Sequence, residues 1–348
     1  MRALTLIPGQ NHSLALQEID QPDCSLGHLL VRCLDLGICG TDIEIAAGNY
    51  GWAPEGKQYL VIGHEALGEI IWAPDDSGFQ PGDLVVGFVR RPDPVPCPNC
   101  AAGEWDTCSN GEYVERGIKS IDGYGSEQFA LASAYAIRVP LSMRATAVLV
   151  EPASIVAKAW EQIRRIGARA HWQPKCALIT GAGPVGLLAA LMGEQQGFDM
   201  HVFDQVETGP KPDLVRALGA TYHSGKLKDL DLRPDIIIEC TGAAPVILDA
   251  FALNGRNGIV CLAGLSSGQH ALDFDIGEIG RRLVLENDLI FGSVNANRRH
   301  YEQAVAALRT ADQLWLQRLI TRRVPLEQWP EAFERQSDDI KVVIDFTG

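Results

Sequence analysis

Cys39, His64, Glu65 and Glu151 are the residues whose types and spacing point most directly to chemistry. They sit in the segments GICGTD, VIGHEALG and LVEPAS. One thiolate, one imidazole and one or two carboxylates form a donor set that suits Zn²⁺ and can leave a coordination position open. Thr41 and Asp42 follow Cys39 closely. A hydroxyl beside a metal can pass on the proton of a bound alcohol, and a neighbouring carboxylate can orient a ligating histidine from behind. Each residue alone has a plainer reading, as a core cysteine, a hydrogen-bonded histidine or a surface glutamate. The coincidence of the three segments favours the metal.

A second group lies downstream. Gly181-Ala182-Gly183-Pro184-Val185-Gly186 follows the strand-like run KCALIT and opens the helix-like run PVGLLAALMGEQQG. In that setting Gly181 permits a tight turn, Gly183 lets the backbone approach a dinucleotide pyrophosphate, and Gly186 lets helix and strand pack closely. Asp204 ends the next strand-like run, DMHVFD. A carboxylate there accepts hydrogen bonds from the adenosine ribose and repels a 2′-phosphate, which favours NAD. Lys211 and Arg216 lie near enough in sequence to accommodate a phosphate, so NADP is admitted as well. A metal that activates an alcohol, with a cofactor that accepts hydride, implies a dehydrogenase acting on an alcohol or sugar.

A third group is Cys97-Pro98-Asn99-Cys100 with Cys108. The spacing reads as a structural zinc loop, but a closed tetrahedral site takes four ligands. Asp93 and Asp106 are the nearest candidates for the fourth. The competing reading is a lobe that holds no metal.

These groups need elements to position them. The early part of the chain is rich in glycine, proline and short apolar runs. LLVRCLDL, YLVIGHEALGEII and DLVVGFVR read as strands, which suggests a β-rich barrel or sandwich. Residues 90–126 form a long irregular stretch that its cysteines could staple. From about Val150 the texture changes. EPASIVAKAWEQIRRIG has helical spacing, and strand-like and helix-like runs then alternate, as in a parallel, doubly wound sheet. After Arg298 come one helix, HYEQAVAALR, and a last strand, KVVIDF, which is expected to return to the first domain. The division expected is a catalytic domain of residues 1–150 completed by 298–348, with a dinucleotide domain of residues 151–297 between.

The residues quoted resemble the zinc-dependent medium-chain dehydrogenase/reductase superfamily, and within it the microbial glucose 1-dehydrogenases, over essentially the whole chain. GICGTDIEIAAGNYGWAPEGKQYLVIGHEALGEI is similar to the catalytic-zinc region, GAGPVG to the cofactor turn, and GSVNANRRHYEQAV to the segment passing the nicotinamide. The resemblance implies a GroES-like β-barrel catalytic domain and a Rossmann domain. It implies zinc on Cys39 and His64, completed by Glu65 or Glu151 and water. Thr41 would relay the proton, and Asp42 would stand behind His64. Glu115, in YVERG, would contact sugar hydroxyls together with Glu151, while Asn295 and His300 would line the nicotinamide and sugar side. The cofactor set expected is Gly181, Gly183, Pro184, Val185, Gly186, Asp204, Thr241, Gly264 and Asn295. Many relatives are dimers or tetramers, so the resemblance implies a homodimer or homotetramer. The chain departs from the pattern twice. Pro94 falls where lobes of this kind carry a first cysteine, and Glu151 stands where many alcohol dehydrogenases carry a third cysteine ligand.

The leading expectation is therefore oxidation of an aldose at C1 to a lactone. A polyol or secondary alcohol is the alternative substrate, and a non-catalytic relative is the alternative class. Bulk properties fit a globular enzyme of two domains: 348 residues, 46% hydrophobic and 21% charged. A net charge of −14 argues against nucleic-acid partners and gives no attraction to an anionic membrane. No run approaches the length of a membrane span, and MRALTLIPGQ lacks signal-peptide features, so a cytoplasmic location is expected. Nine cysteines, an odd number in a chain this long, do not make a disulfide framework.

Overall fold

In the computed structural model, residues 1–24, 27–265 and 275–348 are described. The chain divides into two compact units, Met1–Ser154 with Asn295–Gly348, and Ile155–Val294.

The first unit is dominated by a seven-stranded sheet. Its spine runs Ala136–Val139, Leu84–Gly87, Glu65–Trp72, Leu29–Ile38, Lys341–Asp345 and Ile320–Pro325, and Gln128–Leu131 also pairs with Leu29–Ile38. Leu29–Ile38 is the central strand, and its second half, LDLGI, is buried at every position. Burial on both faces suits a run with little polar alternation. One apolar core, including Leu4, Leu36, Ile62, Val85 and Ile344, joins this sheet to a three-stranded one built on Arg2–Leu6. The last strand, Lys341–Asp345, pairs antiparallel with Leu29–Ile38, so the C-terminal segment completes the sheet.

Three readings of the sequence change here. YLVIGHEALGEII, expected as one strand, is two: Leu60–Val61 and Glu65–Trp72. Gly63, at φ +90°, breaks it, a conformation side-chain-bearing residues rarely adopt. The break turns His64 out of the strand ladder. Residues 90–126 carry more order than expected, with the short strands Arg90–Arg91, Val114–Arg116 and Ser120–Ile121 forming their own sheet. The tail holds two further helices, Gln313–Leu319 and the short Pro330–Phe333, and a further strand, Ile320–Pro325, besides the expected helix Arg298–Thr310.

The second unit carries a six-stranded sheet in the order Thr221–His223, Asp199–Phe203, Cys176–Thr180, Ile236–Glu239, Ile259–Leu262 and Leu289–Gly292. Every neighbouring pair is parallel. Ala177–Thr180 and Ile236–Glu239 are buried throughout. Such continuous apolar runs are what a parallel sheet covered on both faces requires. The helix Ile276–Glu286, which periodicity did not single out, precedes the edge strand.

Candidate functional site

In the first unit, the glycine break and the start of the helix Gly40–Ala46 bring Cys39 and His64 together. Cys39 Sγ lies 3.1 Å from His64 Nε2. One donor atom from each of Cys39, His64 and Glu65 falls within 4.8 Å of the others. Asp42 is fully buried; its Oδ2 accepts a hydrogen bond from Cys39 N at 3.0 Å. Its Oδ1 stands 3.4 Å from His64 Nδ1. Both of these atoms are buried and neither makes a formed hydrogen bond. The imidazole is thus aligned by Asp42 but not locked, with its other nitrogen facing the thiol. Thr41 is half-buried in the first turn of the same helix.

Charges act strongly on one another here. Burial raises the Cys39 thiol, although His64 opposes the shift. Burial lowers His64, but Cys39 and Asp42 outweigh it and hold the imidazole well above its usual range. Glu151, in the first turn of the helix Val150–Gly167, lies outside the 4.8 Å group. Burial pushes its carboxyl up to about 8; His64 lowers it and Glu65 raises it further. A sulfur, an imidazole nitrogen and carboxylate oxygens in one buried cluster are the donors a catalytic zinc takes, and a coordinating thiol gives up its proton outright. The residues fit the metal.

Glu115, on Val114–Arg116, is buried. Its Oε1 accepts from Arg90 Nε at 3.0 Å, Arg90 Nη2 at 2.9 Å and Asn295 Nδ2 at 2.6 Å. The structure therefore brings Glu115 and Asn295 together, with Asn295 in the left-handed region at φ +62°. His300 is fully buried, and its Nδ1 accepts from Asn297 N at 2.9 Å at the start of the helix Arg298–Thr310.

The cysteine lobe gathers Cys97, Cys100 and Cys108 within 4.8 Å. Hydrogen bonds from Ser109 and from the Cys100 backbone hold the Cys97 thiol down at about 6. Neither aspartate considered as a fourth ligand joins that group. Asp93 accepts from Val95 N at 2.9 Å and from Asn110 Nδ2, and Asp106 Oδ1 accepts from Asn297 Nδ2 at 2.8 Å.

In the second unit, Gly181 has φ +93°. A Cβ at Gly186 would stand 1.8 Å from Gly181 O, so the helix Pro184–Gln195 could not pack on the turn with any side chain there. A Cβ at Gly183 would meet nothing within 4 Å. That open cradle at a helix N-terminus is the space a pyrophosphate would fill. Pro184 and Val185 open the helix, where proline gives up no needed donor. Asp204 Oδ2 accepts from Ala182 N at 2.7 Å and Oδ1 from Val206 N at 3.1 Å. Lys211 Nζ lies 3.1 Å from Oδ2. Burial raises this carboxyl, but these backbone N–H groups and Lys211 outweigh it and hold it below its usual range. Lys211, read from the sequence as able to accommodate a phosphate, is thus paired with Asp204.

Three side chains that hold candidate residues in place were not singled out in the sequence. Glu239 ends the strand Ile236–Glu239 and accepts from Thr180 Oγ1 at 3.2 Å, Thr241 N at 2.7 Å and Gly242 N at 3.0 Å, and from Thr241 Oγ1. Its carbonyl takes Gly264 N at 2.8 Å, so it fixes both Thr241 and Gly264. A carboxylate closing an apolar strand was the available hint. Arg90, which holds Glu115, and Lys341, which holds Glu65 at 2.6 Å, find their partners only across the sheets.

A family described as "Glucose dehydrogenase C-terminus" matches residues 144–346, and one described as "Alcohol dehydrogenase GroES-like domain" matches residues 25–141. The glucose 1-dehydrogenase of Methanocella arvoryzae is 39% identical over 99% of each chain, and that of Thermoproteus tenax 40% over 99% of each. The glucose dehydrogenase of Haloferax mediterranei, solved in complex with NADP, zinc and gluconolactone, superposes over 100% of both chains with a TM-score of 0.93 and 32% identity. A GroES-like domain and a Rossmann domain are thereby the two parts of this fold. At that coverage and identity, the chain belongs to the zinc-dependent medium-chain dehydrogenases, in their glucose 1-dehydrogenase family.

Proposed function

We propose that the protein oxidises an aldose at C1, giving the sugar lactone, with NAD(P) as hydride acceptor. The observation that carries this reading is the largely buried Cys39–His64–Glu65 cluster in a chain that also holds the open Gly183 cradle. Family membership supplies the substrate class, since a relative that matches over the whole of both chains has been captured with gluconolactone, zinc and NADP. Zinc bound at the cluster would supply Lewis acidity to the C1 hydroxyl, and the nicotinamide would take the hydride.

The chain's own residues do the rest. Cys39 and His64 would hold the metal, with Glu65 or Glu151 as the third protein donor. Asp42 aligns the ring of His64, and Thr41 carries the C1 hydroxyl proton outward. Glu115, held by Arg90 and Asn295, binds sugar hydroxyls, and His300 fixes the turn that presents Asn295. Gly181, Gly183 and Gly186 shape the pyrophosphate cradle with Pro184 and Val185. Asp204 accepts from the adenosine ribose, and Glu239 sets Thr241 and Gly264 along the cofactor.

Self-association as a homodimer or homotetramer belongs to the same proposal. Leu289–Gly292 is an edge strand, and Ile276, Val284 and Leu285 on the preceding helix are 67%, 77% and 72% exposed. Exposed apolar side chains beside a strand edge that is unpaired among the described residues support a subunit contact. Among the described residues no helix is long and apolar enough to cross a membrane. All nine cysteines are free, which supports a reducing, cytoplasmic setting.

The test is a panel of aldoses, polyols and simple secondary alcohols, each with NAD and with NADP. The highest kcat/KM is expected for an aldose with a free anomeric hydroxyl, with lactone as product. A polyol preferred tenfold over every aldose would overturn the substrate assignment.

A further inference from the structure

The sheet of the first unit contains a buried ion pair whose cationic member the reaction just described does not use. Lys341 is 2% exposed, and its Nζ lies 2.6 Å from Glu65 Oε2 and 3.2 Å from the carbonyl oxygen of Ile38. The two side chains come from strands on opposite sides of Leu29–Ile38. Gly37 is the reason they can meet. It pairs with Glu65 on one side and with Val343 on the other, and alternation puts Lys341 on the same face as Val343. A Cβ at Gly37 would stand 2.4 Å from Glu65 Oε2. The missing side chain opens a passage over the central strand, and the Lys341 ammonium crosses it to the cluster.

Glu65 thus has two claimants. One is the ammonium, already at contact distance. The other is a cation held by Cys39 and His64, whose donor atoms lie within 4.8 Å of a Glu65 carboxylate oxygen. A buried carboxylate must be paired, and either cation can do it. We propose that Lys341 is a positioning residue that competes with the metal for Glu65. It makes Glu65 an exchangeable ligand and leaves the third protein position to Glu151. The C-terminal strand then sets how tightly the metal is held. This inference rests on the metal reading of the cluster.

Competition has a sign that a merely structural role lacks. A lysine that only buttresses the sheet would, when lost, weaken folding and metal binding together. A competing lysine, when lost, weakens the metal-free protein but frees Glu65 for the metal. The experiment compares wild type, Lys341→Met, Lys341→Arg and Glu65→Gln by zinc titration against a chelator, and by the visible spectrum of the cobalt(II)-substituted proteins. Lys341→Met should bind zinc more tightly, on the order of tenfold, the lower end of what an outer-shell partner contributes to metal affinity. Its cobalt spectrum should shift as an added oxygen donor enters. Lys341→Arg keeps a cation on Glu65 and should stay near wild type. Glu65→Gln alone should weaken zinc little, because Glu65 is already engaged.

Unchanged or weaker zinc binding by Lys341→Met overturns the inference while leaving the zinc site intact. If Lys341→Met does not fold, Glu65→Gln decides: a hundredfold loss of zinc affinity would show that Glu65 is committed to the metal. A wild-type protein that takes up no zinc defeats the metal reading itself, and this inference with it.

Discussion

The candidate cofactor site and the candidate metal site are built by opposite means. In the unit 155–294, the cradle is made of backbone from one short stretch, the turn 181–186, whose glycines are required because a Cβ would collide or fill it. In the other unit the cluster and its neighbours are side chains from distant places: Cys39 and Asp42 at the start of a helix, His64 and Glu65 after a glycine break, Glu151 on another helix and Lys341 on the last strand. A backbone site tolerates changes in its neighbours and fails when a glycine gains a side chain. A side-chain site fails at its ligands and is tuned from far away in sequence.

The largest effect should come from removing the metal. Chelation is expected to abolish turnover while far-UV circular dichroism stays unchanged, because a catalytic zinc supplies Lewis acidity rather than the folding energy. Zinc add-back should restore activity. Full turnover in a sample verified as zinc-free would break the comparison at its root, since the cluster would then be structural.

Next in size is Thr41→Ala. Loss of a positioned proton carrier lowers rates by roughly 10²–10⁴-fold. The drop should appear in kcat, with cofactor affinity kept. A kcat unchanged across the pH range would leave Thr41 as packing alone.

Two glycine variants sharpen the backbone half of the comparison. At Gly186 a Cβ meets the Gly181 carbonyl, so Gly186→Ala should lose about 1–3 kcal/mol of stability from overpacking, and cofactor binding with it. At Gly183 there is space, so Gly183→Ala should melt with wild type yet bind cofactor more weakly. Equal cofactor affinity in Gly183→Ala and wild type, measured by fluorescence titration, would move the pyrophosphate elsewhere.

A smaller effect concerns the choice of cofactor. Asp204 opposes a 2′-phosphate, but Lys211 at 3.1 Å partly neutralises it. Charges a few ångströms apart near a surface interact by roughly 1–4 kcal/mol. Lys211→Met should therefore shift the kcat/KM ratio toward NAD several-fold, and Asp204→Asn should shift it toward NADP. Ratios indifferent to both would show that neither residue reads the ribose.

The smallest effect is expected at the cysteine lobe. Three thiols without a fourth ligand in the group should hold zinc weakly. Elemental analysis should give nearer one zinc than two per chain, and Cys100→Ser should leave kcat unchanged. A second tightly held zinc would make Asp93 and Asp106 the first residues to re-examine.

The glycine turn, Asp204 and the alternation after Val150 were legible because each depends on local backbone geometry. Cys39, His64 and Glu65 were legible as donors because few other uses gather those residue types so near one another. Two things escaped. Residues 90–126 looked irregular because their strands are two or three residues long, too short to show a period. Glu239 looked like the end of an apolar strand because its partners lie on another strand and in its own loop.

By itself the sequence determined the kinds of donor, the dinucleotide turn, the doubly wound half of the fold and the family. The tertiary structure alone decided which charges meet. It tied Arg90 and Asn295 to Glu115, and Lys341 to Glu65 over the gap left by Gly37. The physical reason is range. Turn conformation and hydrophobic period are set by neighbours in the chain, whereas strand order and register bring together side chains from opposite ends of it. Low polarity in the buried sheet then makes those encounters strong.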